Sequence, residues 1–129
     1  MLRAKRLVID TLKNDATIQG YVVDRVYAAG IDIIPEILPA ITVQDVSESI
    51  RTVPLGKKDI IIQVDIWSIT NQLEVDNIYE RIQTLINFRQ LADDGTNQVY
   101  WMREDSMVDL PESERRIWHK AIRYRTWAK

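Results

Sequence analysis

The sequence contains no cysteine. That excludes disulfides, thiolate nucleophiles and Cys-ligated zinc together; a reducing compartment fits more easily, though an oxidising one is not forbidden. Its single histidine is His119, whereas a catalytic triad needs a histidine beside a nucleophile and an acid, and zinc needs several ligands. Between Trp118 and Lys120, His119 reads as a structural residue of a strand. Glycine occurs four times, at the scattered positions Gly20, Gly30, Gly56 and Gly95, so there is no phosphate-cradling loop. Asp93-Asp94-Gly95-Thr96-Asn97 lacks the alternating ligands and closing Glu of a calcium loop and reads as a turn. No apolar run approaches the ~20 residues of a membrane span, and Asp10 interrupts the apolar start too early for a signal peptide. Repeats, heptads and low-complexity tracts are missing as well. These absences predict a soluble, intracellular chain with no cofactor, no metal and no membrane association.

What is present centres on Lys57–Phe88. Ile60, Ile62, Val64 and Ile66 alternate with Ile61, Gln63, Asp65 and Trp67, the two-residue period of a strand with one oily face and one mixed face. Asn71, with Glu74 three residues on, predicts a helix start with a capping box. Val75, Ile78, Tyr79, Ile82, Leu85 and Ile86 then form one helical stripe that covers the oily face. Each buried aliphatic contributes roughly 1.5–3 kcal/mol before chain entropy is subtracted.

The other elements attach to this unit. Ala4, Leu7, Val8, Thr11 and Leu12 share one face of a first helix, and Asp15 caps a short second turn that Gly20 stops. A short strand is expected at Arg25–Tyr27, irregular chain at Ala28–Pro39 and a strand at Ala40–Val46. Ser47–Lys57 reads as an exposed loop, Gln98–Arg103 as a strand, Glu104–Glu114 as an acidic loop and Arg116–Trp127 as the last strand, while Gln90–Asn97 contains the turn signal Asp93-Asp94-Gly95. The 129 residues make one domain, 1–129, able to bury about two-thirds of its unfolded surface. The fold class is α+β: a mixed, mainly antiparallel sheet of about four or five strands, with two helices packed on one face. The other face is left for solvent or for another copy. Trp67, Trp101, Trp118 and Trp127 all fall on strands, where they fill the core or, on an uncovered face, mark an interface.

The formal charge of −2 hides an asymmetry. Arg115–Lys129 holds 6 bases and no acid, so the preceding 114 residues hold 17 − 6 = 11 bases and all 19 acids, or −8. Such polarity suits head-to-tail contacts between copies or steering toward a charged partner. Arg123, Arg125 and Trp127 share one side of the last strand, the pattern of a nucleic-acid-tracking surface and equally of a half-buried strand. A small nucleic-acid-binding accessory protein is therefore the alternative reading.

In order along the chain stand Leu12-Lys13-Asn14-Asp15-Ala16, Asp24-Arg25-Val26-Tyr27 and Leu38-Pro39-Ala40-Ile41-Thr42-Val43. Ile62-Gln63-Val64-Asp65-Ile66-Trp67-Ser68 runs straight into its helix, and the chain closes on Trp118-His119-Lys120-Ala121-Ile122-Arg123-Tyr124-Arg125. In this pattern the sequence resembles the small tail-completion, or tail-terminator, proteins of long-tailed bacteriophages. The resemblance implies a homo-oligomeric ring, commonly a hexamer, at the head-proximal end of the tail tube. It caps the growing tube, meets the tail tube protein and the head-closure or connector protein, and lets DNA pass through its channel without specific recognition. It implies no catalysis, and a place in the virion after assembly in the host cytoplasm. A ring needs two different surfaces on each subunit. Two sets of residues are the candidates: Arg51, Lys57 and Lys58 on the 47–57 loop, and the acids Glu104, Asp105 and Asp109 against Lys120, Arg123 and Arg125 of the next copy.

Overall fold

The computed structural model describes residues 2–28, 35, 37–50, 58–93, 98–110 and 117–128. In chain order these form α1 (Leu2–Lys13), α2 (Ala16–Val22), β1 (Val26–Ala28), β2 (Ala40–Ile50), β3 (Lys58–Ser68), α3 (Gln72–Ile86), β4 (Gln90–Asp93), β5 (Gln98–Asp109) and β6 (Trp118–Ala128). One sheet has the order β1-β2-β3-β6-β5-β4. Only β1 and β2 pair in parallel; every other neighbour is antiparallel. The α+β class and the mixed, mainly antiparallel sheet are as expected, but the described residues form six strands and three helices, more than the four or five and two of the sequence reading.

The two-residue alternation of β3 sets the layers. Ile60, Ile62, Val64 and Ile66 are buried with Ile41 and Val43 of β2, Ile122 and Tyr124 of β6 and Met102 of β5. Against that face lie Ala4, Val8 and Leu12 of α1, Ile18 and Val22 of α2, and Val75, Ile78, Ile82 and Ile86 of α3. All three helices therefore cover one side of the sheet.

Local chemistry starts the helices where the sequence indicates, with one change. Asn71 Oδ1 accepts the Glu74 N–H at 2.8 Å, a side-chain N-cap. The Glu74 carboxylate does not reach back to close a capping box. It accepts instead from Ser68 Oγ at 2.7 Å, and that hydroxyl accepts the Thr70 N–H at 3.0 Å. Asp15 caps α2 by accepting the Ile18 N–H at 3.0 Å. Its helix does not stop at Gly20, because Val22 is buried two residues later. The left-handed residue falls on exposed Val23 (φ 58°), an uncommon place for a β-branched side chain.

Three loop expectations are corrected. Ser47–Ile50 continues β2, paired with Lys58–Ile61 beyond a bulge at Asp45/Ser47; residues 51–57 lie outside the described set. Gln90–Asp93, a stretch without a strand in the sequence reading, is a strand up to the first residue of the turn signal; 94–97 also lie outside the described set. Glu104–Asp109 belongs to β5, bulged between Glu104 and Ser106. Its acids have partners on α3 and β6, so a charged stretch that reads as loop is a paired strand.

Because Ile62 is fully buried and Leu73 is 65% exposed, the two should respond oppositely to truncation. Ile62→Ala is expected to cost about 2–5 kcal/mol and Leu73→Ala less than about 0.5 kcal/mol, read from urea unfolding midpoints.

Candidate functional site

The sheet face away from the helices carries an unusual row of buried polar side chains: Thr42, Gln44, Asp65 and His119, together with Trp67. Their alternation opposite the core residues of β2, β3 and β6 puts them there. Asp65 is the hub. It accepts from Gln44 Nε2 at 3.3 Å and from Gln63 Nε2 at 3.0 Å, and lies 2.7 Å from His119 Nε2. Trp67 stacks on the His119 ring, centroids 3.7 Å apart and planes 11° apart, and donates its indole N–H to Thr42 Oγ1 at 3.0 Å. Gln63 Oε1 in turn accepts from Arg123 Nε at 3.1 Å. A His–Asp pair resembles two-thirds of a triad, but among the described residues no hydroxyl is bonded to His119, and no cluster of His, Asp or Glu could hold a metal. The arrangement joins three strands with satisfied polar groups, which is what burial of such groups requires.

The helix side holds a second network, where α3 meets β5 and β6. Lys120 Nζ sits 2.9 Å from Asp76 Oδ1, 3.4 Å from Asp109 Oδ1 and 4.5 Å above the Tyr79 ring centroid. Tyr79 donates to Glu104 Oε1 at 2.7 Å, and Gln83 Nε2 donates to Glu104 Oε2 at 3.0 Å. The Tyr124 hydroxyl donates to Gln83 Oε1. Burial, with Glu104 nearby, pushes the Tyr79 hydroxyl up to about 12, and Tyr124, more deeply buried, is raised further still. Both phenols are therefore hydrogen-bond donors at any working pH. The Lys120 ammonium holds the Asp76 carboxyl below the usual carboxylate range. Arg81, forked onto Asp15 at 2.7 and 3.0 Å, does the same for that residue and ties α3 to the start of α2.

The predicted interface residues divide between the two faces. Glu104, Asp109 and Lys120 lie in the helix-side network. On the open face, Arg125 reaches Asp105 at 3.7 Å and Arg123 is exposed. Because β5 and β6 are sheet neighbours, Lys120 and Arg125 already have carboxylate partners inside one chain, which reading 104–114 as a loop did not foresee. Arg51 and Lys57 lie outside the described residues; Lys58 opens β3 opposite Ile50, its side chain outside the description. The Asp65–His119 pair, which sequence reasoning missed, left only a faint trace: each residue sits on the mixed side of an alternating strand. Nothing in the sequence said that those strands are neighbours.

No family model matches this sequence, and no curated protein does. Among solved structures, the fold is similar to a chain of one described as "Virion of native gene transfer agent (GTA) particle", with a TM-score of 0.69 over 96% of this chain and 92% of that one. At 12% identity the likeness is one of fold.

Two outcomes follow from the networks. Asp65→Ala strands two buried partners, Gln44 and His119, and the half-buried Gln63, and is expected to cost roughly 2–5 kcal/mol, with Asp65→Asn costing less; equal, negligible shifts in the urea midpoint would deny the row a structural role. Asp15 and Asp76 have pKa values lowered by folding, so their contribution is full above about pH 4 and is lost as pH falls through the depressed values. Asp15→Asn keeps a capping oxygen and should flatten the loss of stability between about pH 4 and 2, measured by urea titration at each pH.

Proposed function

We propose that this chain is a structural subunit of a phage-like virion: a tail-completion protein that forms a ring on the head-proximal end of the tail tube. There it ends tube polymerisation and joins the tail to the head connector. The observation that carries the reading is the fold likeness to a chain of a gene transfer agent virion over nearly the full length of both. The sequence resemblance to tail terminators supports it independently, and its telling pieces fall on α1, β2, the β3–α3 unit and β6. The partners of this reading are further copies of the chain, commonly six in all, the tail tube protein and the head-closure protein. The passing DNA is not read. The candidate contact residues are Arg51, Lys57 and Lys58 on one side, with Glu104, Asp105, Asp109, Arg123 and Arg125 on the other; Lys120 is buried against Asp76 and Asp109 of its own chain and is set aside.

Native mass spectrometry and negative-stain images of the purified chain, alone and with growing tail tubes, test this reading. Closed rings and tubes that stop growing are expected; a chain that stays monomeric and leaves tube length unchanged contradicts it. Arg123 is exposed and bonded only to Gln63 among the described residues, so Arg123→Glu should lower the assembled mass on size exclusion without moving the melting temperature. Equal mass and equal melting temperature would remove Arg123 from the interface.

A further inference from the structure

The sheet's outer strands protect only part of its edges. β1 covers β2 at Ile41–Val43 alone. β4 covers β5 at Gln98–Trp101, extended by backbone bonds between Met102 and both Phe88 and Arg89 and by the Glu104 N–H to Asn87 Oδ1. Asp45–Ile50 of β2 and Asp105–Asp109 of β5 therefore have no outer strand among the described residues. Leu110 donates inward to the His119 carbonyl at 2.8 Å. By the alternation of an antiparallel ladder, Val108 and Ser106 also bond inward, and Met107 and Asp109 turn their N–H and C=O groups outward. On β2, the Ile41 N–H bonds outward to Arg25, so Thr42, opposite Asp65, bonds inward. Past the bulge, Ser47 and Ser49 lie opposite Ile61 and Asp59 and also bond inward, which turns Glu48 and Ile50 outward.

We infer that these two edges join copies of the chain, β5 of one copy adding antiparallel to β2 of the next so that one sheet runs through the assembly. This rests on the ring reading and specifies its contact. Four features favour a second copy as the occupant. β2 and β5 run in opposite directions within the sheet, so copies related by rotation meet antiparallel. Met107, Val108 and Leu110 are exposed along the free edge, apolar surface that an added strand would cover. The segment joining β2 to β3 is basic in sequence (Arg51, Lys57, Lys58), whereas the β5 edge is acidic (Glu104, Asp105, Asp109).

The fourth feature is that a single register satisfies the chemistry. Pairing Glu48 with Met107, and with it Ile50 with Asp105 and Val46 with Asp109, sets the outward groups of Glu48 against those of Met107 and keeps the helix-bearing faces on one side. A shift of two residues either way sets Glu48 directly against Asp109 or Asp105, acid on acid, which is destabilising. Within one chain Glu48 is level with Met102, through Ile60 and Thr126. Pairing it with Met107 of a neighbour advances the register by the step from 102 to 107, one residue of which is the bulge. That is roughly 13–16 Å against a four-strand width of about 19 Å. The strands would then tilt by about 35–40° from the ring axis, the inclination at which sheets close on themselves.

The absence of cysteine makes the test clean. Ser49 and Ser106 face each other in this register as a non-hydrogen-bonded pair, where Cα atoms lie about 4.5 Å apart and a disulfide fits. Under oxidation the Ser49→Cys/Ser106→Cys chain should give a ladder of covalent multimers on non-reducing gels, ending at the ring mass. Each single variant should stay at the mass of one chain. Native mass spectrometry of the unsubstituted chain separates the two ideas. Rings without a ladder overturn the edge contact and leave the ring standing; neither rings nor ladder overturns both. Dimers from Ser106→Cys alone would show β5 pairing with itself and overturn the head-to-tail contact.

Discussion

The structure depends on the antiparallel pairing of β3 with β6, unbroken from Asp59–Trp127 to Ser68–Trp118. These two strands are the middle of the sheet, and their register decides what lies on each side of it. In this register Ile60, Ile62, Val64 and Ile66 share a face with Ile122 and Tyr124 and are sealed by three helices. The same alternation sends Asp65, Trp67 and His119 to the opposite face. A slip of one residue would exchange the two sets, placing a carboxylate under α3 and a row of isoleucines in its stead. The Asp65–His119 bond and the Trp67–His119 stack hold this register from the polar side, as the isoleucines do from the apolar side.

Much of this is legible in the residues themselves, for physical reasons that differ by element. β3 and α3 announce themselves because period 2 passes abruptly into period 3.6 at an Asn that caps. α1 is equally plain. β4 is not: Gln90–Asp93 has no alternation and runs into a turn-like Asp-Asp-Gly, and only pairing with β5 makes it a strand. The lower half of β5 misleads in another way. Its acids look solvated in sequence, yet each described one has a partner on a neighbouring element. Strand order is the information that a local reading cannot supply. The polar row needs it, and so does the fact that Lys120 and Arg125 find carboxylate partners within their own chain.

Between α3, β5 and β6 the ionisable groups Asp76, Glu104, Asp105, Asp109, Lys120 and Arg125 are held by partners within the chain. The two networks join α3 to β5–β6 and β2 to β3–β6; among the described residues two stepped stretches of strand edge have no outer strand, and Asp45 Oδ1, Arg125 Nε and Thr126 Oγ1 are buried without a hydrogen-bond partner. In the proposed assembly the edge amides and carbonyls, which carry no sequence-specific chemistry, repeat the same contact from copy to copy.

Amide hydrogen exchange at residue resolution, compared between the isolated chain and its assembled form, tests this most directly. In both states the β3 and β6 amides should be the slowest to exchange. The amides of Met107, Asp109, Glu48 and Ile50 should exchange rapidly in isolation and become protected on assembly. Equal rates for those four amides in the two states, or fast exchange through β3, would contradict it.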